Sequence, residues 1–373
     1  MASKVFFIDL RATFKENFIM KLGRLMTEAG MLETFGKRDL VAVKLHFGEL
    51  GNTAYIRPVF IQKVVDIIRN SGGTPFLTDA NTLYAGSRGQ APQHLETATK
   101  NGFAPSVTGA PVIIADGLRG QSQTAVTINQ KNFQKAYIGS EIEQADTIIS
   151  VAHFKGHELS GFGGAIKNIG MGCASRMGKL AQHSSLSPKV KSKKCIGCGD
   201  CAGHCASHAI FMTGNQSKKI KAKIDEEKCV GCGECILICP NSAIDVQWNQ
   251  SGPTFLENMV EYTLGVLKGK EGRTFCMNFL TDISPACDCF PMNDAPIVRN
   301  IGVLASIDPV AIDQASVDLV NNEAALPGTC LKDNREAGQD KFRAIYPKVD
   351  WGIQLEYGEQ IGIGTRSYEL VTL

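Results

Sequence analysis

This sequence predicts an α/β fold, in which a mostly parallel sheet is covered by helices and interrupted by a small α+β module. Three observations lead to this prediction. Short apolar segments alternate with segments of helical periodicity along most of the chain, a pattern typical of parallel sheets with helices on their faces. Glycine-rich and polar segments directly follow several of the apolar segments. Eight of the thirteen cysteines lie between residues 195 and 239, which sets this stretch apart from both flanks.

The alternation of strand and helix signals runs through both flanks. Apolar runs bounded by charged or turn residues predict buried strands at 5–8, 40–45, 75–78, 111–114, 146–151, 274–280 and 301–304. Apolar residues at helical spacing predict helices at 18–26 and 59–68. Another helix is predicted to begin at Asp308-Pro309, because proline is favoured in the first helical turn.

A separate module is predicted at residues 188–248. The basic, helix-breaking segment 187–194 marks its beginning, and a new helical periodicity begins after Ser251-Gly252-Pro253. Segments 209–211 and 243–245 follow the two cysteine runs at similar offsets, which indicates an internal repeat of cysteine loop, short helix and strand. We expect residues 1–187 and 249–373 to form one α/β domain into which this module is inserted.

Both cysteine runs have the spacing C-x2-C-x2-C-x3-C. The first run is Cys195, Cys198, Cys201 and Cys205, and the second is Cys229, Cys232, Cys235 and Cys239. This is the bacterial ferredoxin spacing, in which the fourth cysteine of each run ligates the other cluster. We therefore predict a bacterial-type two-cluster module with two [4Fe-4S] clusters. One would be bound by Cys195, Cys198, Cys201 and Cys239, and the other by Cys229, Cys232, Cys235 and Cys205.

Zinc sites and disulfides are the alternatives for these cysteines. Zinc ribbons use two separated C-x2-C pairs rather than two runs of four cysteines. Disulfides suit secreted proteins, whereas Asp9 and Arg11 interrupt the N-terminal segment before a signal-peptide apolar core could form. The runs also contain glycines that allow a tight loop around an inorganic cluster, namely Gly197, Gly199, Gly231 and Gly233.

Composition and charge narrow the classes of function. The chain has 373 residues, of which 43% are hydrophobic and 20% charged, as in ordinary globular proteins. The formal net charge of +2 gives nucleic-acid binding no electrostatic support. No apolar run approaches the roughly 18 residues that a membrane helix requires. We expect a cytoplasmic protein of an anaerobic type, because a reducing cytoplasm keeps cysteine thiolates available to bind metal.

A second candidate site follows the strand predicted at 146–151. Residues 153–172 contain two histidines, two lysines and six glycines. His153, Lys155 and His157 alternate with period two, so they share one face if the strand continues. Chemistry in parallel sheets is carried by loops that leave the carboxyl ends of strands.

The same segment contains a glycine turn that leads into a predicted helix. Gly163 and Gly164 would let backbone amides approach an anion, and Lys167 follows on the first helical turns. We predict a site for a small anionic substrate or an additional cofactor, with His153, Lys155, His157 and Lys167 as its catalytic groups. The alternative is a glycine-rich packing turn with solvated lysines.

Other segments place polar groups where they could join this site. His46 follows the strand at 40–45, and Arg57 stands at a helix start, where it could bind a carboxylate or phosphate. A further metal could be bound by thiols outside the two runs, from the set Cys173, Cys276, Cys287 and Cys289, although free cysteines also pack as small hydrophobes. Asp308 and Asp313 are expected to supply helix capping and surface charge.

The segment from His153 to Gly172, together with the cysteine runs, resembles a widespread uncharacterised family. Its members are domain-of-unknown-function proteins that carry ferredoxin-type [4Fe-4S] motifs. The resemblance covers essentially the whole chain, including Cys287-Asp288-Cys289 and residues 305–313. It implies the fold and the two clusters.

The α/β part is also similar to nickel-pincer lactate racemases. The offsets of His157, Gly161-Phe162, Lys167 and His183 match that family's site, and Arg57-Pro58 is similar to its substrate-binding Arg-Pro. The resemblance implies His157 as an acid/base, Lys167 as the cofactor attachment point, His183 as a metal ligand and Arg57 as a carboxylate clamp. The glycines after Phe162 are one residue out of register with the racemase pattern.

These features predict an iron–sulfur protein for electron transfer, and an oxidoreductase acting at the His/Lys site. Its expected partner is a redox protein of the ferredoxin or flavodoxin type, which exposed lysines beside the cysteine runs could receive. The alternatives are a non-enzymatic electron carrier or docking protein, and a lactate-racemase-like enzyme whose clusters are structural.

Overall fold

The computed structural model describes residues 2–84, 86–215, 218–247, 249–250 and 252–373. Trp248, the predicted last residue of the module, lies outside the described residues. Within these ranges, the structure contains no candidate for a membrane-spanning helix.

The strands and helices alternate over most of the chain. The strands are β1 (Ser3–Asp9), β2 (Leu40–Lys44), β3 (Thr74–Asp79), β4 (Val112–Ile114), β5 (Gln123–Thr127), β6 (Lys135–Gly139), β7 (Thr147–His153), β8 (Lys155–His157), β9 (Gly161–Gly163), β10 (Lys189–Val190), β11 (Ile210–Asn215), β12 (Lys218–Ile224), β13 (Ile244–Asp245), β14 (Thr274–Leu280), β15 (Gly302–Ser306) and β16 (Tyr368–Thr372). The helices are α1 (Phe18–Glu28), α2 (Pro58–Asn70), α3 (Ala91–Lys100), α4 (Pro105–Thr108), α5 (Ser140–Gln144), α6 (Ala165–Gly170), α7 (Arg176–His183), α8 (Asp200–Gly203), α9 (Glu234–Ile238), α10 (Gly252–Leu267), α11 (Pro309–Asn321), α12 (Lys341–Ile345) and α13 (Gly352–Gln360). A short 3-10 turn follows α1 at Met31–Glu33.

The centre of the molecule is an eight-stranded sheet with the order β16-β1-β15-β14-β7-β2-β3-β4. Its neighbouring strands run parallel except that β15 is antiparallel to both β1 and β14. The predicted α/β fold with a mostly parallel sheet is therefore confirmed. The carboxyl ends of β14, β7, β2 and β3 lie side by side at one edge of this sheet.

The sheet is buried on both faces. In β14, Phe275, Met277 and Phe279 face one apolar core, whereas Cys276 and Leu280 face the other. Helices α1 and α2 cover the first face, and α6, α10 and α11 cover the second. Strands buried on both faces form continuous apolar runs, which is why the sequence showed the positions of these strands clearly.

The stretch that contains the two cysteine runs forms its own small sheets and core. Strand β10 pairs with β13, and β11 pairs with β12, both antiparallel. Val190 in the first pair and Ile224 in the second are 34 residues apart, and so are their respective partners, Ile244 and Ile210. The same interval separates Cys195 from Cys229. The internal repeat of the sequence is thus expressed as two equivalent strand pairs around a separate apolar cluster.

Gly302 tests how tightly the central sheet is packed. A Cβ at this position in β15 would overlap the carbonyl oxygen of Ile8 and the ring of Phe7. We expect Gly302→Ala to lower the free energy of unfolding by about 1–3 kcal/mol, because an overpacked core must shift backbone or rotamers. Anaerobic denaturant titration measures the change. Gly252→Ala is the control, since a Cβ there meets open space, and equal losses in both variants would contradict the packing described here.

Candidate functional site

A cavity of about 650 Å³ opens at the carboxyl ends of the four neighbouring strands β14, β7, β2 and β3. This is where loops of parallel sheets carry ligand-binding groups. The residues around it come from these loops, from α6 and α7, and from α10. They are Lys44, His46, Glu49, Leu50, Asp79, Ala80, Thr82, Leu83, Tyr84, Gly86, Ser87, Arg88, Lys155, His157, Glu158, Leu159, Gly164, Lys167, Asn168, Met171, Gly172, Lys179, His183, Phe255, Cys289, Phe290 and Pro291.

One wall of the cavity is a buried network of charges. Lys44 Nζ lies 3.0 Å from Asp79 Oδ1, and Arg88 lies within 3.3 Å of both Asp79 and Glu49. Burial alone would raise the pKa of Asp79, but the cations Lys44 and Arg88 hold it well below its ordinary value. The pKa of His46 is lowered by burial and by Arg88, so the charged form of this predicted site residue is disfavoured and the fixed cations Lys44 and Arg88 stabilise the Asp79 carboxylate.

The loop after β14 is anchored through Asp288. His153 Nδ1 lies 2.9 Å from both carboxylate oxygens of Asp288, and its Nε2 lies 2.9 Å from the carbonyl oxygen of Thr281. Lys155 Nζ lies 3.4 Å from the same carboxylate and donates to the carbonyl of His153. The structure therefore places His153 beneath the cavity, where it positions residues 287–289, whereas Lys155 lines the cavity itself.

His157 lies beside two thiols at the cavity floor. Its imidazole and the sulfurs of Cys287 and Cys289 form a group whose ligand atoms all lie within 4.8 Å of one another, the one such group of metal-ligating residues in the described ranges. Two thiols and an imidazole are a donor set that suits zinc and related transition metals. The sequence predicted a further metal or cofactor near Lys167, and His157, Cys287 and Cys289 are the candidate ligands at that place.

Lys167 places a positive charge beside these two thiols. Its Nζ donates to Cys287 Sγ at 3.5 Å. The hydrogen bond with Cys289, the Lys167 ammonium and His157 together lower the pKa of Cys287 well below its ordinary value, against the effect of burial. Burial opposes the charge on Lys167, but Cys287, Cys289 and Glu158 raise its pKa.

The ring of His157 is oriented by the hairpin of β8 and β9. Its Nδ1 accepts hydrogen bonds from the backbone amides of Leu159 and Ser160, each at 3.2 Å. Nε2 therefore carries the proton of the neutral ring. Strand β7 ends at His153, and Lys155 and His157 belong to this separate hairpin, so the single continuous strand considered from the sequence does not form.

The glycine turn does not present free amides to a ligand. The amides of Ala165 and Ile166, at the start of α6, donate to the carboxylate of Asp313 at 2.7 and 3.0 Å. Gly164 borders the cavity, but a Cβ there would overlap Asp313. Burial raises the pKa of Asp313 to about 6. The expected surface position of Asp313 is wrong, because this side chain from α11 fills the anion position beside Gly163 and Gly164.

Of two further predicted site residues, Arg57 lies outside the cavity and His183 lines it. Arg57 occupies the N-cap position of α2 and is exposed, outside the residues that line the cavity. His183 lines the cavity at the end of α7, where its Nδ1 lies 2.8 Å from the carbonyl oxygen of Lys179. Burial lowers the pKa of His183 to about 4. The structure therefore brings together His46, Lys155, His157, Lys167 and His183, and leaves Arg57 apart.

The charged residues of the cavity that sequence reasoning missed include Asp79, Arg88 and Lys179. Asp79 directly follows a predicted strand, so the pattern that identified His46 could have found it. Arg88 and Lys179 carry no such signal, because they lie in a loop and in the middle of α7. Lys179 Nζ donates to the carbonyl of Ala174, and the carboxylates of Asp116 and Asp79 favour its charged form. Burial lowers the pKa of Lys179 to about 8.

The eight cysteines of the two runs border two separate hollows. One hollow is lined by Cys195, Cys198, Cys201 and Cys239, and the other by Cys205, Cys229, Cys232 and Cys235. Each run turns through two glycines with positive φ, namely Gly197 and Gly199 in the first and Gly231 and Gly233 in the second. The amides of Ala209 and Ala243 donate to Cys205 Sγ and Cys239 Sγ at 3.3 and 3.2 Å, at equivalent places in the repeat.

Helix α7 connects these hollows with the large cavity. Leu180 packs in the apolar cluster of the cysteine region, as does Leu83, and Leu83 also lines the cavity. A Cβ at Gly233 would lie 3.3 Å from the side chains of Leu83 and Arg176. Glu234 accepts hydrogen bonds from Arg119, at 3.1 Å, and from Gln121. The second hollow therefore adjoins the α/β body.

The chain matches solved structures and one protein family. It is similar to the lactate racemase apoprotein from Thermoanaerobacterium thermosaccharolyticum, with 13% identity and a TM-score of 0.38 over 74% of this chain and 51% of that one. It is also similar to a protein from Thermotoga maritima of structural-genomics origin, with 9% identity and a TM-score of 0.40 over 92% of this chain and 58% of that one. The chain thus spans about half the length of the structures it matches.

No protein of curated function matches the sequence. The family profile described as a domain of unknown function, DUF362, matches residues 41–318, well over half of the chain. The matched range contains the cavity loops, both cysteine runs and residues 287–289. The chain belongs to the DUF362 family.

Proposed function

We propose that this protein is an iron–sulfur oxidoreductase that holds two [4Fe-4S] clusters and acts on a small anionic substrate in the large cavity. The observation that carries the proposal is the crossing of the two cysteine runs. Each hollow combines three cysteines of one run with the last cysteine of the other. This is the ligand pattern of two-cluster ferredoxins.

The donors in the two hollows fit such clusters better than zinc. Four thiolates around one zinc ion, with Zn–S bonds of about 2.3 Å, would have their sulfurs within about 4 Å of one another. None of the eight cysteines belongs to a group of three ligand atoms within 4.8 Å in the described residues. This wider spacing leaves room for a larger inorganic unit. When bound, a [4Fe-4S] cluster supplies one-electron transfer at a potential set by hydrogen bonds and exposure.

The two cysteine sets have different surroundings. Cys198 of the first set is exposed, and exposed lysines lie nearby in sequence, including Lys193 and Lys194. A positive surface of this kind suits an acidic redox partner of the ferredoxin or flavodoxin type. The second set faces the α/β body, where Leu83 separates it from the cavity. This arrangement supports electron exchange between a partner and the cavity.

The charge of the cavity supports an anionic substrate. Lys44, Lys155 and Lys167 each have an acidic side chain or a thiol as neighbour. Lys179 faces the cavity, and its ammonium donates a hydrogen bond to the carbonyl oxygen of Ala174. Burial lowers the pKa of Lys179 although Asp116 and Asp79 act to raise it, so an anion within reach would stabilise this ammonium.

A racemase-like enzyme with structural clusters is the second candidate. The observation that favours it is that His157, Lys167 and His183 all line one cavity. Arg57, the carboxylate clamp in that analogy, is exposed and apart from them. Nickel in the purified protein, or a covalent adduct on the Lys167 peptide in mass spectrometry, would favour this candidate over the oxidoreductase.

Paired cysteine substitutions test the crossed ligand sets. Cys195→Ala with Cys239→Ala removes two ligands of one set, so we expect about four iron atoms per chain to remain. Cys195→Ala with Cys205→Ala removes one ligand from each set, so we expect much less iron and sulfide and the loss of both cluster signals. Iron and sulfide analysis with electron paramagnetic resonance on anaerobic protein measures this. Cys330→Ala is the control outside both runs, and the reverse order of iron contents would contradict the crossing.

The pH dependence of anion binding tests the role of Lys179. Burial lowers its pKa to about 8, so the ammonium is present below this pH and lost above it. We expect the affinity for sulfate, whose charge is constant here, to fall by up to about tenfold per pH unit between pH 8 and 9. Calorimetric titration measures the dissociation constants. Lys179→Met should weaken binding at pH 7 and remove the pH dependence, whereas exposed Lys193→Met should change neither. Equal sulfate affinity at pH 7 and 9 would contradict this role.

A further inference from the structure

The floor of the large cavity contains a pair of thiols that the two cysteine runs do not include. Cys287 and Cys289 are two residues apart, and their sulfurs lie within 4.8 Å of each other. Asp288, between them, points the other way, toward the ring of His153 and the ammonium of Lys155. Cys287 is buried, and Cys289 lines the cavity. The loop is thus fixed at its centre and presents both sulfurs on one side.

The surroundings of Cys287 are those of a thiolate. Its sulfur receives hydrogen bonds from Lys167 Nζ at 3.5 Å and from the backbone amide of Cys289 at 3.4 Å. Hydrogen bonds from charged and amide donors favour the ionised form of an acceptor. Reactive cysteines occur in such electropositive places next to a solvent-accessible space.

We propose that Cys287 and Cys289 are a redox-active dithiol that closes reversibly to a disulfide at the floor of the cavity. The inference rests on the proposed function for its electron acceptors. In the oxidising direction the Cys287 thiolate and the Cys289 thiol form an S–S bond, and the Cys289 sulfur releases its proton into the cavity. The two electrons pass singly to two one-electron acceptors of the iron–sulfur class. Reduction reverses each of these changes.

Two features of the site oppose a metal ion bound by the same residues. Histidines that ligate metals almost always donate their other ring N–H to an acceptor, whereas His157 Nδ1 accepts from two backbone amides. Nε2 would thus have to lose its proton before it could bind a metal. Lys167 also places an ammonium beside Cys287, where it would repel a bound cation.

The thiol pair shares its protons unequally. Cys289, Lys167 and His157 lower the pKa of Cys287, and the hydrogen bond with Cys287 together with burial raises the pKa of Cys289. One thiolate and one thiol is the state from which a disulfide forms and to which it returns. A ring closed by residues only two apart is small, and strained disulfides are the reducible ones.

Differential alkylation tests the dithiol. Anaerobic full-length protein is equilibrated with set ratios of reduced and oxidised dithiothreitol, quenched with acid, and alkylated before and after reduction. Masses of the peptide spanning residues 274–299 then report each thiol. We expect Cys287 and Cys289 to lose alkylation together, with a mass lower by two hydrogens, while Cys276 in the same peptide stays reduced. Cys287→Ser and Cys289→Ser should abolish the change, and Cys330→Ser should preserve it.

The variant Lys167→Met tests whether Lys167 influences the redox equilibrium of the dithiol or merely lies beside it. Because Lys167 stabilises the reduced thiolate, its removal should raise the oxidised fraction at a given dithiothreitol ratio. The proposal is overturned if both thiols stay reduced at every ratio, if Lys167→Met leaves the titration unchanged, or if stoichiometric zinc or nickel is present and lost in Cys287→Ser. The titration does not depend on bound iron. Protein that forms the disulfide but lacks iron would therefore contradict the proposed function and leave the dithiol intact.

Discussion

Helix α7, Arg176–His183, is the element on which the arrangement of both sites depends. The guanidinium of Arg176 is fully buried and donates to the carbonyl oxygens of Gly89 and Arg119, and so ties the loops after β3 and β4 to the helix. On successive turns, Lys179 and His183 face the cavity while Leu180 packs against the cysteine region. An arginine buried in this way must keep its carbonyl partners, because a buried unpaired charge is very costly. The distance between the cysteine region and the cavity is therefore set by rigid packing.

The cavity holds many buried charged side chains in fixed positions, because almost every one of them has a defined partner. Asp79 lies between Lys44 and Arg88, and Asp288 lies between His153 and Lys155. Each carboxylate thereby fixes two neighbouring loops. Opposite charges attract each other strongly in a low-dielectric site. The loops after β2, β3, β7 and β14 therefore form one preorganised surface.

The sequence predicted those parts of the molecule in which the signal is local. Strands buried on both faces, such as β7 and β14, form continuous apolar runs, and ligand spacing identifies the cysteine runs. Contacts between distant segments could not be predicted in this way. Asp313 reaches the start of α6 from about 150 residues away in the chain, and no periodicity relates the two. Arg57 failed to join the cavity because its helix start projects into solvent, a direction that residue type does not reveal.

We propose that two crossed sets of four thiolates each hold one iron–sulfur cluster. Native mass spectrometry of anaerobically purified protein tests it most directly, because the mass of the folded chain reports its bound inorganic atoms. We predict a mass above that of the polypeptide by two Fe4S4 units. A mass that matches the bare chain, or the chain with zinc ions only, would show that these thiolates hold no iron–sulfur cluster.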